Sequence, residues 1–590
     1  MEAVKMVLKV MWRYRSLLII LMTPLLLLPL PVVIGTKVAD CAFVLMLMAI
    51  YWLTEAFPLS ATAMLPALLF PLFGILKSNE VAKVYFKDFH LLLIGVICLA
   101  TSIEKWGLHR RIALRLVTLV GVNPGWLMLG FMSGCAFLSM WVSNTSAVAM
   151  VMPIVEAVIQ QILRSEEEAD GRRSRAATGV SNLALQLDEM IGPKEKEDIM
   201  SSQVQDPEAQ VYTIPENEVP PHRTVIPQVP GSKQDNMICK ALCISIAYSS
   251  SMGGIATLPG TSPNLIFSEY MTQFYPDCDQ INFGNWLLLC VPISILMLLL
   301  SWIWLYWLFI GSDFRSLLRC GGQRSEREKE TARVIQEEYN SLGPISPQEV
   351  VTLIIFVLMA LLWFTRKPGF MPGWANLFPE HAGYATDATA ALLLGLLLFV
   401  IPAHGPSAKN FEAMITWKEF QAVMPWEVAL LVGGGFALAE GTQVSGLSSW
   451  VATLLTPLGD LPVIATVTIA CVIVTSITEV ASNAATITIF LPILAPLAEA
   501  IQVNPLYMLI PTTLCTSFSF LLPVSNPSNA IVFGYGHIRT IDMVKAGLGT
   551  NIIGVLVVIL AVTTLGVPLF GLNTYPDWAP VFPTSNSTGL

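Results

Sequence analysis

Val142-Ser143-Asn144-Thr145-Ser146 interrupts an apolar segment that runs from about Gly125 to Leu163, and Ala481-Ser482-Asn483-Ala484-Ala485 interrupts a second, from about Leu461 to Ile501. Hydroxyl and amide side chains at bilayer depth cost free energy unless they find partners. Two such interruptions in corresponding places imply a polar site built between two structural repeats. They point to a membrane carrier whose ligand sits where the two stretches meet.

The rest of the composition agrees with a bilayer as solvent. Of 590 residues 54% are hydrophobic and 13% charged, with a mean hydropathy of +0.64. These values indicate an all-α, polytopic membrane protein. The formal charge of -9 reflects acids gathered in one polar loop, and no basic patch of the kind nucleic acid requires is present. The ten cysteines are scattered, and Cys239 and Cys243 share a helix face with no second Cys or His pair to complete a zinc site. The first apolar run, Leu17 to Val33, follows Lys5, Lys9, Arg13 and Arg15 without a small-residue cleavage site, so it reads as a retained first span.

Spans are expected near 17–36, 41–57, 59–75 and 88–104. With the basic N-terminus inside, this count places His109, Arg110, Arg111 and Arg115 inside as well. The segment 125–164 has basic residues at both ends, so it must enter and leave on one side as a re-entrant hairpin, with Ser143-Asn144-Thr145 at its tip. Residues 165–237, rich in Glu, Ser, Gln and Pro, read as a disordered cytoplasmic loop. Spans near 238–268 and 284–310 precede a second cytoplasmic loop, and spans near 347–366, 387–403 and 426–441 lead to a second hairpin at 461–503. Spans near 506–535 and 546–570 close the membrane part. The last twenty residues hold no Lys or Arg, and Asn586-Ser587-Thr588 is a glycosylation sequon, which fits an extracellular C-terminus.

Spacing turns the echo into a repeat. Leu92-Leu93-Ile94-Gly95 matches Leu430-Leu431-Val432-Gly433, and the tip serine follows the glycine by 48 positions in one half and 49 in the other. Pro153 and Pro492 each follow the tip asparagine by 9, and Thr261-Ser262-Pro263-Asn264 pairs with Asn526-Pro527-Ser528-Asn529. The first copy starts outside and the second inside, so the two are inverted copies, the arrangement that supports alternating access.

Each half supplies a hairpin tip and a broken helix. Gly253-Gly254, Gly260 through Asn264, and Pro523 through Asn529 cannot all be regular helix. Unwound carbonyls beside half-helix ends suit sodium, and helix N-termini with amide or hydroxyl donors suit an anion. One sodium is assigned to Ser139, Ser143, Asn144, Gly260 and Asn264, and a second to Thr478, Ser482, Asn483, Ser525 and Asn529. The anion is expected between the tips, with Ser143, Asn144, Thr145, Ser482 and Asn483 as donors and Ala484 completing the wall. No Arg or Lys stands in either tip, so neutralising a dianion falls to sodium and helix ends. Sodium is the only metal this scheme needs, as a transported ion, and no cofactor is expected. Singly, each residue also has a structural reading, as back-bonded hydroxyls or helix glue. Gly433-Gly434-Gly435 allows a close helix approach, either to the site or for packing alone. Glu55 and Glu479 read as intramembrane acids with hydrogen-bonded structural or gating roles.

At these residues the sequence resembles the divalent anion/sodium symporters (solute carrier family 13). Lys87 to Trp106, Glu479 to Asn483 and Asp542 to Gly549 are most similar to the sodium/sulfate cotransporter branch. The resemblance implies about eleven transmembrane helices plus two re-entrant hairpins, an inverted-repeat, elevator-type transporter with scaffold and transport domains, and a homodimer. It implies sodium-coupled, electrogenic import of sulfate across the plasma membrane, N-terminus cytoplasmic. Ala484 stands where many dicarboxylate carriers have Thr or Val, which favours another anion; Ser528 and Pro259 also depart from the usual pattern. The matching domain division is 1–87 scaffold helices, 88–268 first repeat with the 165–237 loop, and 269–425 scaffold helices with the loop 311–346. The second repeat follows at 426–535, then the last helix at 536–570 and the tail 571–590.

Two further readings stay open: the same machine carrying a dicarboxylate, and an uncoupled anion channel. An enzyme is not expected. The six histidines are isolated, with no His-Glu-x-x-His run and no phosphate-binding loop.

Overall fold

The computed structural model describes residues 14–120, 123–177, 233–311, 333, 335–337, 339–366, 373–377, 384–404, 412–448, 450–451 and 461–580. Among these residues the chain is helical throughout, with one isolated bridge between Pro402 and Ala413. Asn586 and residues 178–232 of the long polar loop lie outside the described residues.

The N-terminal helices are α1 (Arg15–Leu27), α2 (Lys37–Thr54), α3 (Leu59–Ala63), α4 (Leu65–Leu72) and α5 (Ser78–Tyr85). The span expected over 59–75 is therefore two helices, because Pro66 in the first turn of α4 lacks the N–H that would continue α3. The segment expected to be the first repeat holds α6 (Asp88–Lys105), α7 (Leu108–Val120), α8 (Pro124–Ser139), α9 (Asn144–Ala177), α10 (Lys233–Gly254) and α11 (Ser262–Phe274). Then come α12 (Phe283–Leu305), α13 (Pro347–Arg366), α14 (Asp387–Leu397) and α15 (Trp417–Val423). The segment expected to be the second repeat holds α16 (Trp426–Val444), α17 (Val463–Thr478), α18 (Asn483–Ala500), α19 (Pro505–Cys515) and α20 (Pro527–Gly534), and α21 (Thr540–Ala561) follows.

Among the described residues seven helices are long and apolar enough to cross a membrane, or eight if the pair α15–α16, bent by 60°, is one span. The expected spans 238–268 and 506–535 are each broken, at 255–261 and 516–526, where Gly and Pro loosen the backbone and remove donors. Helix α9 continues to Ala177 and α10 begins at Lys233, so the helical structure intrudes on the expected loop 165–237 from both ends. Glu and Arg in that stretch favour helix as well as solvent, and charge alone does not stop a helix. Helix α7 was not expected, because Arg110, Arg111 and Arg115 interrupt the apolar run that marks a span.

The packing follows the repeat. Helix α10 lies against both arms of the first hairpin, α8 and α9, and α19 lies likewise against α17 and α18. The short helix beyond each break crosses to the other half: α20 packs on α9 and α10, and α11 packs on α18 and α19. The matched glycines mark close approaches. A Cβ on Gly95 would stand 2.3 Å from the carbonyl carbon of Ala391, and one on Gly433 would stand 2.8 Å from the Tyr85 ring. Gly434 meets Ala63, and Gly435 meets Thr488 of α18, so the glycine run serves helix packing.

A buried ion pair holds α7. The Arg111 guanidinium donates to Glu349 Oε1 and Oε2 (2.9 and 3.2 Å) and to the carbonyls of Leu342, Gly343 and Pro344 (3.2, 3.0 and 3.3 Å). This planar, multiply bonded grip fixes α7, the helix before the first hairpin, relative to α13.

Candidate functional site

Each hairpin turns on a serine cap. Ser143 Oγ accepts from Ser146 N at 3.2 Å and Ser482 Oγ accepts from Ala485 N at 3.2 Å, so these hydroxyls terminate the first turns of α9 and α18. Ser143 also donates to Ser146 Oγ at 2.9 Å and is exposed. Both tips thus present a helix N-terminus, whose free N–H groups and dipole favour negative charge. Asn144, Thr145, Ser482, Asn483 and Ala484 are half-buried there. Among the described residues no hydrogen bond joins one tip to the other.

Behind each tip a buried hydroxyl reaches the tip asparagine. Ser139 Oγ donates to Asn144 Oδ1 at 2.6 Å, and Thr478 Oγ1 to Asn483 Oδ1 at 2.9 Å. Ser139 and Thr478 are fully buried. The five-residue spacing visible in the sequence is therefore a contact in both halves.

The broken helices complete each cluster in the same way. Asn264 Nδ2 donates to the carbonyls of Gly254, Ile255 and Thr257 (3.3, 3.3 and 2.8 Å). Asn529 Nδ2 donates to those of Ser519 and Leu522 (2.8 and 3.0 Å) and to Ser525 Oγ at 3.4 Å. In both halves the accepting carbonyls precede the asparagine by ten and seven positions, so an unwound strand of backbone is gathered around one buried amide. Asn264 Oδ1 is buried without a hydrogen-bond partner.

The first cluster closes through glycines. A Cβ on Gly254 would lie 2.3 Å from Asn144 Oδ1 and 3.2 Å from the Gly260 carbonyl oxygen, and one on Gly260 would lie 2.5 Å from the Gly254 carbonyl oxygen. Ser139, Asn144, Gly254, Gly260 and Asn264 therefore come together, while the Ser143 hydroxyl is engaged in its cap. In the second cluster Thr478 Oγ1 also donates to the Thr516 carbonyl at 2.7 Å, and Ser525 Oγ donates to Leu522 O at 2.7 Å and Ser519 O at 3.3 Å. Thr478 and Asn483 thus form one linked group with the Thr516 carbonyl, and Ser525 and Asn529 form another around the carbonyls of Ser519 and Leu522, while the Ser482 hydroxyl serves as the cap.

Sequence reasoning missed Thr257, Thr516 and Ser519. Thr257 Oγ1 donates to the Met140 carbonyl at 2.5 Å and ties the first tip to its broken helix. The common seven-residue spacing of Thr257 to Asn264 and Leu522 to Asn529 was the available signal.

The two acids part company. Glu479 is buried and accepts from Phe520 N (2.9 Å), Leu521 N (3.0 Å) and Asn551 Nδ2 (2.6 Å), the hydrogen-bonded role expected of it. Glu55 instead is exposed at the end of α2 with φ +47°. It caps α2, which stops at Thr54, and has none of the buried hydrogen bonds that hold Glu479.

Two sets of oxygens at matched positions, each beside a helix N-terminus, offer the donor chemistry that small cations and an anion take. The family model described as the sodium:sulfate symporter transmembrane region matches residues 9–572. The rat protein named solute carrier family 13 member 1 is 56% identical over 582 residues, covering 96% of this chain and 97% of that one. Human solute carrier family 13 member 4 is 47% identical over 612 residues, covering 96% and 98%, and human Na(+)/dicarboxylate cotransporter 3 is 41% identical over 606 residues, covering 100% and 98%. With a match that spans nearly its whole length, the chain belongs to the sodium:sulfate symporter family.

Proposed function

We propose that this chain is a sodium-coupled symporter that imports sulfate across the plasma membrane. The observation that carries the reading is the pair of oxygen clusters around Asn144–Asn264 and Asn483–Asn529, each behind a hairpin tip and each without a lysine or arginine in the tip. Sodium bound by Ser139, Asn144, Gly260 and Asn264, and by Thr478, Asn483, Ser525 and Asn529, supplies the positive charge that the tips lack. Sulfate then rests between the N-termini of α9 and α18, contacted by Ser143, Asn144, Thr145, Ser482 and Asn483 beside Ala484. A dianion in that position is stable only with the cations in place, which couples the two fluxes.

If more than two sodium ions accompany each dianion, net positive charge moves inward. Each such charge draws about 2.3 kcal/mol per 100 mV from the membrane potential. Alternating access follows from the inverted repeats, with the hairpins and broken helices moving as a unit against the helices of 1–87 and 269–425, in a homodimer of about eleven spans per chain. In this reading the N-terminus is cytoplasmic and Asn586 carries an extracellular glycan; loss of an endoglycosidase-sensitive mobility shift in Asn586→Gln checks it.

Labelled sulfate uptake by cells expressing the chain, in sodium and in choline medium with and without excess succinate, tests the function. Sodium-dependent uptake that succinate leaves largely intact supports it. Entry of labelled succinate in place of sulfate reassigns the substrate to a dicarboxylate, and equal sulfate uptake in choline makes the protein an uncoupled channel and removes both sodium sites.

A further inference from the structure

The two ion clusters share a hydrogen-bond plan but differ at one side chain. Asn264 gathers the carbonyl ten positions before it, that of Gly254, and Asn529 gathers the carbonyl ten positions before it, that of Ser519. Gly254 and Ser519 are therefore equivalent. At Gly254 the direction in which a side chain would grow leads to Asn144 Oδ1 and the Gly260 carbonyl, into the middle of the first cluster. The second repeat has a hydroxymethyl group at that position.

Ser519 is fully buried and its Oγ has no hydrogen-bond partner. Ser301, Ser517 and Ser528 share that state, while other buried serines find an acceptor. Ser245, Ser249 and Ser250 each donate to a carbonyl three positions back in α10. Ser519 lies in the unwound stretch between α19 and α20, four positions beyond Cys515, the last residue of α19. Its backbone is held firmly nonetheless. The peptide joining it to Phe520 is clamped on both sides, the carbonyl accepting from Asn529 and Ser525 and the N–H donating to Glu479. The next peptide is clamped too, with Leu521 N donating to Glu479 and the Phe520 carbonyl accepting from Tyr248. A rigid backbone thus fixes where the free hydroxyl points.

The polar atoms described in the second half are largely acceptors: Asn483 Oδ1 and the carbonyl oxygens of Thr516, Ser519 and Leu522. A buried hydroxyl oxygen with no bond of its own, on the backbone that carries such acceptors, suits a cation, which needs every oxygen it can reach after losing its water. We infer that Ser519 Oγ is an additional ligand of the second sodium ion, giving that site a hydroxyl where the first has only the hydrogen of Gly254. The inference rests on the sodium reading of the second cluster. It makes the two sites unequal, the second holding its ion more tightly.

The test is sulfate uptake against sodium concentration for Ser519→Ala, Ser519→Gly and Ser519→Thr, with Asn483→Ala alongside and surface protein measured by biotinylation. Removing the hydroxyl is expected to raise half-activating sodium by about fivefold in both Ala and Gly variants. The KM for sulfate at saturating sodium should stay unchanged, and Thr, which keeps the hydroxyl, should restore sodium activation towards that of the unaltered chain. A purely structural serine would lower surface protein or maximal uptake without moving the sodium curve. If Asn483→Ala shifts sodium activation and Ser519→Ala and Ser519→Gly do not, the added ligand is overturned and the site remains. If Asn483→Ala also leaves the sodium curve unmoved, the second sodium site falls and the inference with it.

Discussion

The hydroxyl of Tyr248 in α10 donates to the carbonyl of Phe520 at 2.7 Å, joining the broken helices of the two repeats. The same hydroxyl lies 3.0 Å from the Met543 carbonyl, and the Tyr248 and Phe520 rings touch with centroids 4.8 Å apart. Asn526 Nδ2 adds a second link to Ser251 Oγ at 3.4 Å. The unwound stretch of one half is thus held by the intact helix of the other. Tyr248→Phe keeps the ring and strips the donor, leaving a buried carbonyl without its partner at a cost of about 1–3 kcal/mol. Lower thermal stability in detergent together with reduced uptake at low sodium is the expected result; an unchanged melting curve would mean the link contributes nothing.

The paired contacts Ser139–Asn144 and Thr478–Asn483 are alike in place but not in weight. Ser139 Oγ makes one described bond, to the tip asparagine, whereas Thr478 Oγ1 also donates to the Thr516 carbonyl in the broken helix. Asn144→Ala and Asn483→Ala should each remove most sodium-dependent sulfate uptake. Ser139→Ala should be the milder hydroxyl deletion and Thr478→Val the harsher, by about tenfold in half-activating sodium, since the latter loosens tip and broken helix together. Sodium activation curves for the four variants decide this, and equal effects of the two hydroxyl deletions would refute the difference in weight.

Much of this site was legible before any coordinates. The Ser-Asn pairs, the hydroxyl five positions earlier and the loop asparagine are sequence-local features whose spacing survives in both halves, so the repeat announces them. What could not be read is which backbone carbonyls the loop asparagines collect, because every residue carries a carbonyl and only the fold turns some inward. The tip serines show a related limit: a Ser before a helix start serves equally as cap or ligand, and the sequence does not say where its hydroxyl points. Helix α7 was hidden by its own arginines, and Arg111 is buried only because Glu349 and three carbonyls, more than two hundred positions away, receive it.

That arginine is a sharp test of the fold. Its guanidinium spans a carboxylate and the carbonyls that precede α13, a geometry that a lysine ammonium cannot reproduce. Arg111→Lys should therefore behave nearly as badly as Arg111→Ala, leaving Glu349 buried and poorly paired at a cost of about 3–5 kcal/mol. Surface protein measured for Arg111→Lys, Arg111→Ala and the double variant Arg111→Met/Glu349→Leu checks it, with partial recovery expected in the last. Near-normal expression of the lysine variant would show that charge alone suffices.

Glu479 and Glu55 should respond in opposite ways to the same change. In Glu479→Gln an amide nitrogen replaces one of two oxygens that accept from Phe520 N and Leu521 N, so a buried donor meets a donor in the segment that shapes the second cluster. Uptake should fall by about tenfold or more. Glu55→Gln alters an exposed side chain and should be neutral, and Glu55→Gly, which suits φ +47°, should be neutral or slightly stabilising. Uptake and thermal stability of the three variants test the contrast.

Glycine at 253 marks the tightest approach between α8 and α10. A Cβ there would stand 2.0 Å from the Ala136 carbonyl oxygen and 2.5 Å from the Ala136 Cα, backbone atoms that cannot turn aside as a side chain can. Gly253→Ala must push the inward arm of the first hairpin away from the broken helix that shares its cluster, and overpacking of this kind costs about 1–3 kcal/mol or more. Gly534, near the end of α20, has nothing within 4 Å of its would-be Cβ, and alanine there should be harmless or add about 0.5–1 kcal/mol through helix propensity. Thermal midpoints and sodium activation of the two variants separate them. Gly253→Ala is expected to lose both stability and sodium affinity, because moving α8 separates Ser139 from the carbonyls of 254–257, and Gly534→Ala to keep both. A Gly253→Ala protein with normal sodium activation would mean that the cluster does not depend on this helix contact.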